Sequence, residues 1–177
     1  MLTDILNPKA AAWPASLAAA TVLGSFALAC VFPFVAFATL AALTMKRRTG
    51  LALVASVWAA NQLVGFFVMS FPWELQAVGH GIAILASTLA AFYAARFVSA
   101  RLKTGSPLQY IAPLAVAFSA YLTLMRAYAE FGGGAENFTL QINADVALND
   151  ALWFGGLMVL RFALSRLTGQ VALPAAA

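Results

Sequence analysis

Residues 11–45 read AAWPASLAAATVLGSFALACVFPFVAFATLAALTM, an apolar stretch without a single charged side chain. As one α-helix rising ~1.5 Å per residue it would be roughly 50 Å long, which exceeds the ~30 Å hydrocarbon core of a bilayer. Pro33 lacks an amide hydrogen and clashes with the carbonyl one turn back, so it is the natural point for a break. The stretch predicts a helix over 14–30, a tight turn and a short helix over 34–45. The alternative is one kinked helix.

Four further apolar runs follow, each close to the ~20 residues that cross a bilayer. They cover about 50–70, 75–98, 107–129 and 144–167. The sequence therefore predicts an all-α membrane protein with six transmembrane helices, of which the second is short, or five if the first stretch stays in one piece. No polar segment is long enough to separate two domains, so 1–177 is read as a single integral membrane domain.

The composition excludes several functional classes. Hydrophobic residues make up 63% of the chain and charged residues only 9%, which does not fit a soluble enzyme, a nucleic-acid-binding module or a disordered tail. One cysteine excludes an internal disulfide, and one histidine excludes sites that need two protein imidazoles. The first apolar stretch has no cleavage context, so we expect no cleavable signal peptide.

The distribution of charge predicts the orientation of the helices. Eight of the ten basic residues fall on one side of the predicted spans, namely Lys46, Arg47, Arg48, Arg96, Arg101, Lys103, Arg161 and Arg166. The acids Glu74, Glu130, Glu136, Asp145 and Asp150 fall at or near the other side. By the positive-inside rule the basic side is cytoplasmic. In the six-helix arrangement both termini are then cytoplasmic, and three turns face outward.

Polar side chains inside the spans need partners because lipid offers none. Asp145, Asn149 and Trp153 repeat every four residues on one face of the last helix. We expect Arg126 to pair with Asp145 or Asp150, since a paired charge is cheaper to bury than a lone one.

Two tyrosines and a loop with amide side chains are further candidates for a binding site. Tyr121 and Tyr128 are on one stripe of the fifth helix, which suits either core packing or a ligand wall. The loop from 130 to 143 contains three consecutive glycines and the amides Asn137 and Asn143, so it could fold as a flexible lid. It has no Lys-Ser/Thr after the glycines and is therefore no phosphate loop.

Three single features have both a structural and a functional interpretation. His80, between two glycines, is either a satisfied polar group or a side chain that faces an outward cavity. Cys30 is either a small apolar filler at a helix end or a thiol that offers sulfur to a soft metal. The alanines at four-residue spacing, Ala11, Ala15 and Ala19, either pack internally or form a docking face for another membrane protein.

Six short helices with both ends inside, an alanine-rich first helix and three outer turns resemble the substrate-binding S components of energy-coupling factor (ECF) vitamin transporters. The segments CVFPFVAFATLAALTMKRR (30–48) and WAANQLVGFFVMSFPW (58–73) are most similar to the BtuM family, which is linked to cobalamin uptake. The resemblance covers roughly residues 14–100.

This resemblance implies a protein of the bacterial inner membrane that binds and takes up a vitamin, cobalamin, at an outward-facing pocket. It implies that Cys30 ligates the corrinoid cobalt and that Ala15 and Ala19 dock onto a transmembrane coupling subunit, with ATP hydrolysis supplied by other chains. The ligand-binding candidates are Cys30, His80, Tyr121, Tyr128, Asn137, Asn143, Asn149 and Trp153.

No spacing brings together a nucleophile, a base and an orienting acid, so no catalytic residue and no intrinsic cofactor are expected. The basic residues occur in short clusters between apolar runs, which indicates topology and no nucleic-acid partner. The alternative function is a non-catalytic scaffold or assembly subunit of a larger inner-membrane complex.

Overall fold

The computed structural model describes residues 8–28, 32–102 and 105–168. Across these ranges the chain is all-helical, with six α-helices and no strand. They are α1 (Pro8–Leu28), α2 (Phe34–Thr44), α3 (Arg47–Leu63), α4 (Leu75–Ser99), α5 (Leu108–Gly132) and α6 (Leu140–Thr168). A π-helical turn, Val64–Val68, extends α3, and a 3₁₀ turn, Ala135–Asn137, lies between α5 and α6.

Four segments are long and apolar enough to cross a membrane: Arg47–Val68, Leu75–Ser99, Leu108–Gly132 and Leu140–Arg166. The segment Phe34–Thr44 is apolar but shorter. The molecule is thus a bundle compatible with a multi-pass membrane protein.

The predicted break at Pro33 is confirmed, because α2 begins at the next residue. Pro33 has φ −81° and ψ 64°, and the Phe34 amide donates to the Phe32 carbonyl oxygen at 2.8 Å. These values are typical of an inverse γ-turn, which redirects the chain over three residues. The 11–45 stretch therefore folds as two separate helices, and the single kinked helix is wrong.

Helix α2 lies at the centre of the bundle and contacts all five other helices. Every residue from Phe34 to Ala42 is buried, with at most 5% of its surface exposed. An apolar helix without a polar face is stable only where neighbours cover it on all sides. Eleven residues span ~16 Å, about half of the hydrocarbon core, so both ends of α2 lie within the bundle.

The two ends of α2 are bound by side chains of opposite charge. At the N-terminus the Asp150 carboxylate of α6 accepts the Ala36 amide hydrogen at 2.8 Å, and this carboxylate is only 3% exposed. At the C-terminus the Arg96 guanidinium of α4 donates to the Ala42 and Met45 carbonyl oxygens at 3.2 and 3.0 Å. An acidic side chain at the positive end of the helix dipole and a basic one at its negative end suit the polarity of the helix. The pair also satisfies backbone groups that lipid would leave unbonded.

Close approach between α3 and α4 depends on a glycine. A Cβ atom on Gly50 would lie 2.6 Å from the ring of Phe92, one of the largest fully buried side chains. Helix α1 is attached through Trp13, whose indole Nε1 donates to the Thr44 hydroxyl at 2.9 Å. The Arg161 guanidinium lies 5.3 Å from the Trp13 ring, within the range of a cation–π contact. These contacts fix α1 and α3 around the central helix.

Candidate functional site

His80 and Tyr128 meet at the end of the bundle opposite the basic clusters. Their rings contact edge to face with centroids 4.9 Å apart and planes at 84°. His80 Nδ1 is 3.0 Å from the Gln76 carbonyl oxygen, one turn earlier in α4. If Nδ1 carries the proton in this hydrogen bond, Nε2 is the acceptor nitrogen. Both side chains are half-buried. The hydrogen bond and the ring contact therefore hold the imidazole in one orientation.

The glycine turn after α5 closes over this pair. The Gln76 amide donates to the Gly132 carbonyl oxygen at 3.0 Å, which ties the turn to α4. Gly133 and Gly134 have φ values of +88° and +92°, a region that favours glycine. A Cβ on Gly134 would be 3.8 Å from His80 Nε2 and 3.5 Å from the Asn137 amide nitrogen. Three of the predicted residues, His80, Tyr128 and Asn137, therefore come together here.

Tyr128 occupies the space between the glycine turn and α4. Its hydroxyl oxygen is 2.3 Å from the position of a Cβ on Gly79, and its ring is equally close to that of a Cβ on Gly132. The absence of a Cβ at Gly79 thus leaves room for the Tyr128 hydroxyl. That the turn acts as a flexible lid stays a prediction. In the structure its shape is set by Tyr128 and Gln76.

A second group of predicted residues lies deeper in the bundle. Tyr121 is seven residues before Tyr128, so it lies ~10 Å further along α5. Tyr121 and Trp153 are half-buried and pack against the core that surrounds α2. Asn149 is half-buried beside Asp150, and the Tyr121 hydroxyl lies within electrostatic range of that carboxylate. Through Asp150, which binds the Ala36 amide, Tyr121 lies near the N-terminus of α2.

Asn143 belongs to neither group. It is half-buried in the first turn of α6, and its side-chain amide lies 3.5 Å from the Phe138 carbonyl oxygen. Its amide therefore supports the end of the α5–α6 connection.

The predicted pairing of Arg126 with Asp145 or Asp150 is wrong. Arg126 Nε is 2.9 Å from Glu130 Oε1, one turn along the same helix, and about half of each side chain is exposed. Such a surface pair contributes only ~0.2–1 kcal/mol. Asp145 accepts a hydrogen bond from Gln141 at 3.0 Å. Asp150 instead faces the interior, because its position on α6 points it at the start of α2.

The sequence patterns did not single out Gln76, and they did not predict that Arg96 and Asp150 bind the ends of α2. Gln76 is two residues after Glu74, and its spacing of four from His80 was a usable signal. For Arg96 and Asp150, the position within a predicted helix indicates a depth in the membrane but not the direction of the side chain. Only the position of α2 determines that these two residues bind its ends.

Cys30, the candidate cobalt ligand, lies outside the described residues. Ala15 and Ala19, the candidate docking residues, are exposed on α1. They line an open cavity of about 470 Å³ between α1 and α3, together with Ala18, Val22, Ser56, Val57 and Ala60. All but Ser56 are apolar, and most are small. The alanines at these two positions are therefore not buried in the packing of the described chain.

No protein-family model, curated protein or solved structure matches this chain.

Proposed function

We propose that this chain is the substrate-binding membrane component of a vitamin transporter of the ECF type, similar to the BtuM family, and that its substrate is cobalamin. In this proposal all six helices belong to the membrane domain and both termini are cytoplasmic. The end that contains His80 and Tyr128 faces outward, as the positive-inside rule suggests from the basic clusters at the other end.

The observation that carries the proposal is the convergence of His80, Tyr128 and Asn137 from α4, α5 and the turn between α5 and α6. A subunit with a purely structural role has no need to gather imidazole, phenol and amide groups under a glycine turn. Ligand sites combine apolar walls with a few polar groups that fix orientation. A corrinoid, which carries many amide side chains around an apolar ring system, suits such a site.

The deeper group extends the proposed site toward the centre of the bundle. Tyr121 and Trp153 would cover apolar ring surface, and Asn149 offers an amide to the corrinoid side chains. Asn143, at the start of α6, would offer a further amide. Cys30 is the proposed cobalt ligand, because a thiolate is a soft anionic donor that suits cobalt. His80 is the competing axial ligand.

The cavity between α1 and α3 supports the proposed docking of a transmembrane coupling subunit at Ala15 and Ala19. Small side chains let two membrane helices approach closely, where dispersion and weak backbone contacts hold them. The sequence has no nucleotide-binding motif, so ATPases on other chains would supply the energy.

The visible spectrum of purified protein with cobalamin tests the proposal. Cobalt ligation by a thiolate should shift the corrinoid bands of the wild type. Cys30→Ser offers a hard, protonated oxygen, so it should lose the shift and much of the affinity while it remains folded. If His80→Ala causes this loss instead, the imidazole is the ligand. Folded protein that binds no corrinoid contradicts the proposal.

A scaffold subunit is the second candidate, and the open, alanine-lined cavity favours it because a scaffold needs a docking face. The two functions separate on purification from native membranes. A scaffold should co-purify with protein partners and without a coloured corrinoid, whereas the transport component should take up cobalamin in near-stoichiometric amount.

A further inference from the structure

The connection between α3 and α4 exposes large apolar side chains, although it joins two helices at their ends. Phe67, Val68, Met69 and Trp73 are each between 61% and 69% exposed. Between Arg48 and Glu74 the sequence has no charged residue. Here we call residues 64–74 the aromatic turn. A connection that projected into water would ordinarily be polar, so its apolar surface needs an explanation.

The backbone of the aromatic turn is hydrogen-bonded within itself. The Met69 amide donates to the Val64 carbonyl oxygen at 2.9 Å, and the Phe71 amide donates to the Gly65 carbonyl oxygen at 3.0 Å. A Cβ on Gly65 would lie 2.9 Å from the Phe71 ring, so this glycine lets the turn fold back on itself. Internal hydrogen bonding allows backbone to enter a region where little water is available.

The aromatic rings are held in a fixed arrangement. Trp73 stacks on Phe66 with ring centroids 4.3 Å apart, and its other contact is edge to face with Phe67 at 5.6 Å. Ser70 has a positive φ of 56°, which is uncommon outside glycine and is maintained by the surrounding contacts. The exposed surface is therefore part of a compact structure.

Exposed apolar side chains also lie on the two adjoining membrane-spanning segments. Leu63 on α3 is 57% exposed, and on α4 Leu75 and Ile82 are 90% and 59% exposed. Within a membrane these side chains face lipid. The lipid that contacts these helices would therefore also contact the aromatic turn. Trp73 has the apolar ring and the polar N–H that suit the boundary between acyl chains and headgroups.

We propose that the aromatic turn is immersed in the bilayer interface, so that lipid covers Phe67, Val68, Met69 and Trp73. The α5–α6 connection at the same end contrasts with it, because its exposed residues include Glu136 and Asn137. One end of the bundle would then have a lipid-embedded side and a water-facing side. The inference does not depend on whether the chain binds a corrinoid.

Tryptophan fluorescence in liposomes provides a label-free test. The difference in emission between wild type and Trp73→Tyr isolates the contribution of Trp73. Lipids brominated near the headgroup should quench this difference strongly, lipids brominated near the chain terminus should quench it weakly, and aqueous iodide should have little effect. Strong quenching by iodide with none by the brominated lipids would place Trp73 in water and overturn the proposal.

A second test uses an environment-sensitive dye on Met69→Cys in the Cys30→Ser background. The matched control is Glu136→Cys in the same background. The dye at position 69 should emit at shorter wavelength and be quenched by nitroxide lipids, while the dye at position 136 should be quenched only by aqueous iodide. If neither quencher reaches position 69, protein covers the turn and the lipid proposal is wrong. Equal quenching at the two sites by iodide also contradicts it.

Discussion

Asp150 is a carboxylate enclosed by apolar helices, and it is tolerated because it accepts a backbone amide hydrogen at the start of α2. A buried polar group without a partner costs far more than one that is bonded. Removing the carboxylate would leave the Ala36 amide without a partner inside the bundle, and that unpaired amide would destabilise the fold. The residue is structural in origin, whatever the bundle binds.

We expect Asp150→Ala to lower the free energy of unfolding by about 1.5–3 kcal/mol, the usual effect of losing a hydrogen bond to a charged group. Asp150→Asn keeps a carbonyl acceptor and should lose less. Asp145→Ala is the matched control, because Asp145 is exposed and bonds only within its own helix. Thermal unfolding in detergent measures all three variants. Equal midpoints for Asp150→Ala and Asp145→Ala would contradict the capping role.

A second prediction concerns the hydroxyl of Tyr128 and the glycine beneath it. Gly79→Ala places a methyl group 2.3 Å from this oxygen but 3.3 Å from the nearest ring carbon. The clash should cost about 1–3 kcal/mol, the range for overpacking a fitted site. Tyr128→Phe in the same chain removes the hydroxyl and should restore most of the loss.

The control for this pair is Gly155→Ala, since a Cβ at that helical position meets nothing within 4 Å. Alanine is favoured over glycine inside a helix by about 1 kcal/mol, so this variant should be neutral or stabilised. A double-mutant cycle on unfolding midpoints measures the coupling between positions 79 and 128. Additive effects would mean that Tyr128 does not occupy this space.

Pro33 was predicted to end one helix and begin another because its covalent geometry alone forbids continuation. Asp150 was predicted in the wrong partnership, because a helical position gives depth along the axis but not which neighbour lies opposite. The contact of His80 with Tyr128 joins two helices, and no local pattern encodes such a contact.

Helix α2 depends on its neighbours for its stability. Isolated helices shorter than ~12–15 residues are marginal, so eleven residues gain their stability from packing and from the side chains that bind both ends. Arg96 and Asp150 lie on different long helices, α4 and α6. Through α2 the positions of those two helices are therefore linked.

The pairing of α1 with α3 leads to a prediction about assembly. Ala15→Leu with Ala19→Leu adds bulk to the open cavity without displacing a buried side chain. We expect the double variant to fold and, when purified alone, to bind ligand as the wild type does. It should no longer assemble with a partner or support uptake. Co-purification and an uptake assay in cells provide the two measurements.

Its control is Ala86→Leu with Ala115→Leu, two exposed alanines on α4 and α5 outside the cavity. These changes add the same bulk to other lipid-facing positions and should leave assembly intact. If Ala15→Leu with Ala19→Leu unfolds the chain while the control remains folded, the alanines serve internal packing.

Cysteine labelling in intact cells tests the orientation of the bundle in the membrane. In a Cys30→Ser background, Ala135→Cys lies in the α5–α6 connection and Thr49→Cys lies in the first turn of α3. We expect an impermeant maleimide to label the cysteine at position 135 in intact cells, and to label the one at position 49 only after lysis. The opposite pattern would invert the topology and place the His80 end in the cytoplasm.

The outline of the bundle was predictable, since apolar length and breakers such as Pro33 are local properties of the chain. The predicted segment 75–98 became Leu75–Ser99, and 107–129 became Leu108–Gly132. The start of α6 was predicted four residues late, because the polar residues Gln141 and Asn143 resemble loop sequence although they lie in its first turn. Which helix occupies the centre could not be predicted, because burial depends on how all the helices pack together.

The central position of α2 has a consequence for biosynthesis. The residue that binds its N-terminus, Asp150, leaves the ribosome roughly a hundred residues after α2 itself, which at ~5–20 residues per second is a delay of about 5–20 s. During that interval a helix too short to cross the bilayer has neither Asp150 nor α6 to hold it. The centre of the bundle is therefore complete only after the last helix has been synthesised.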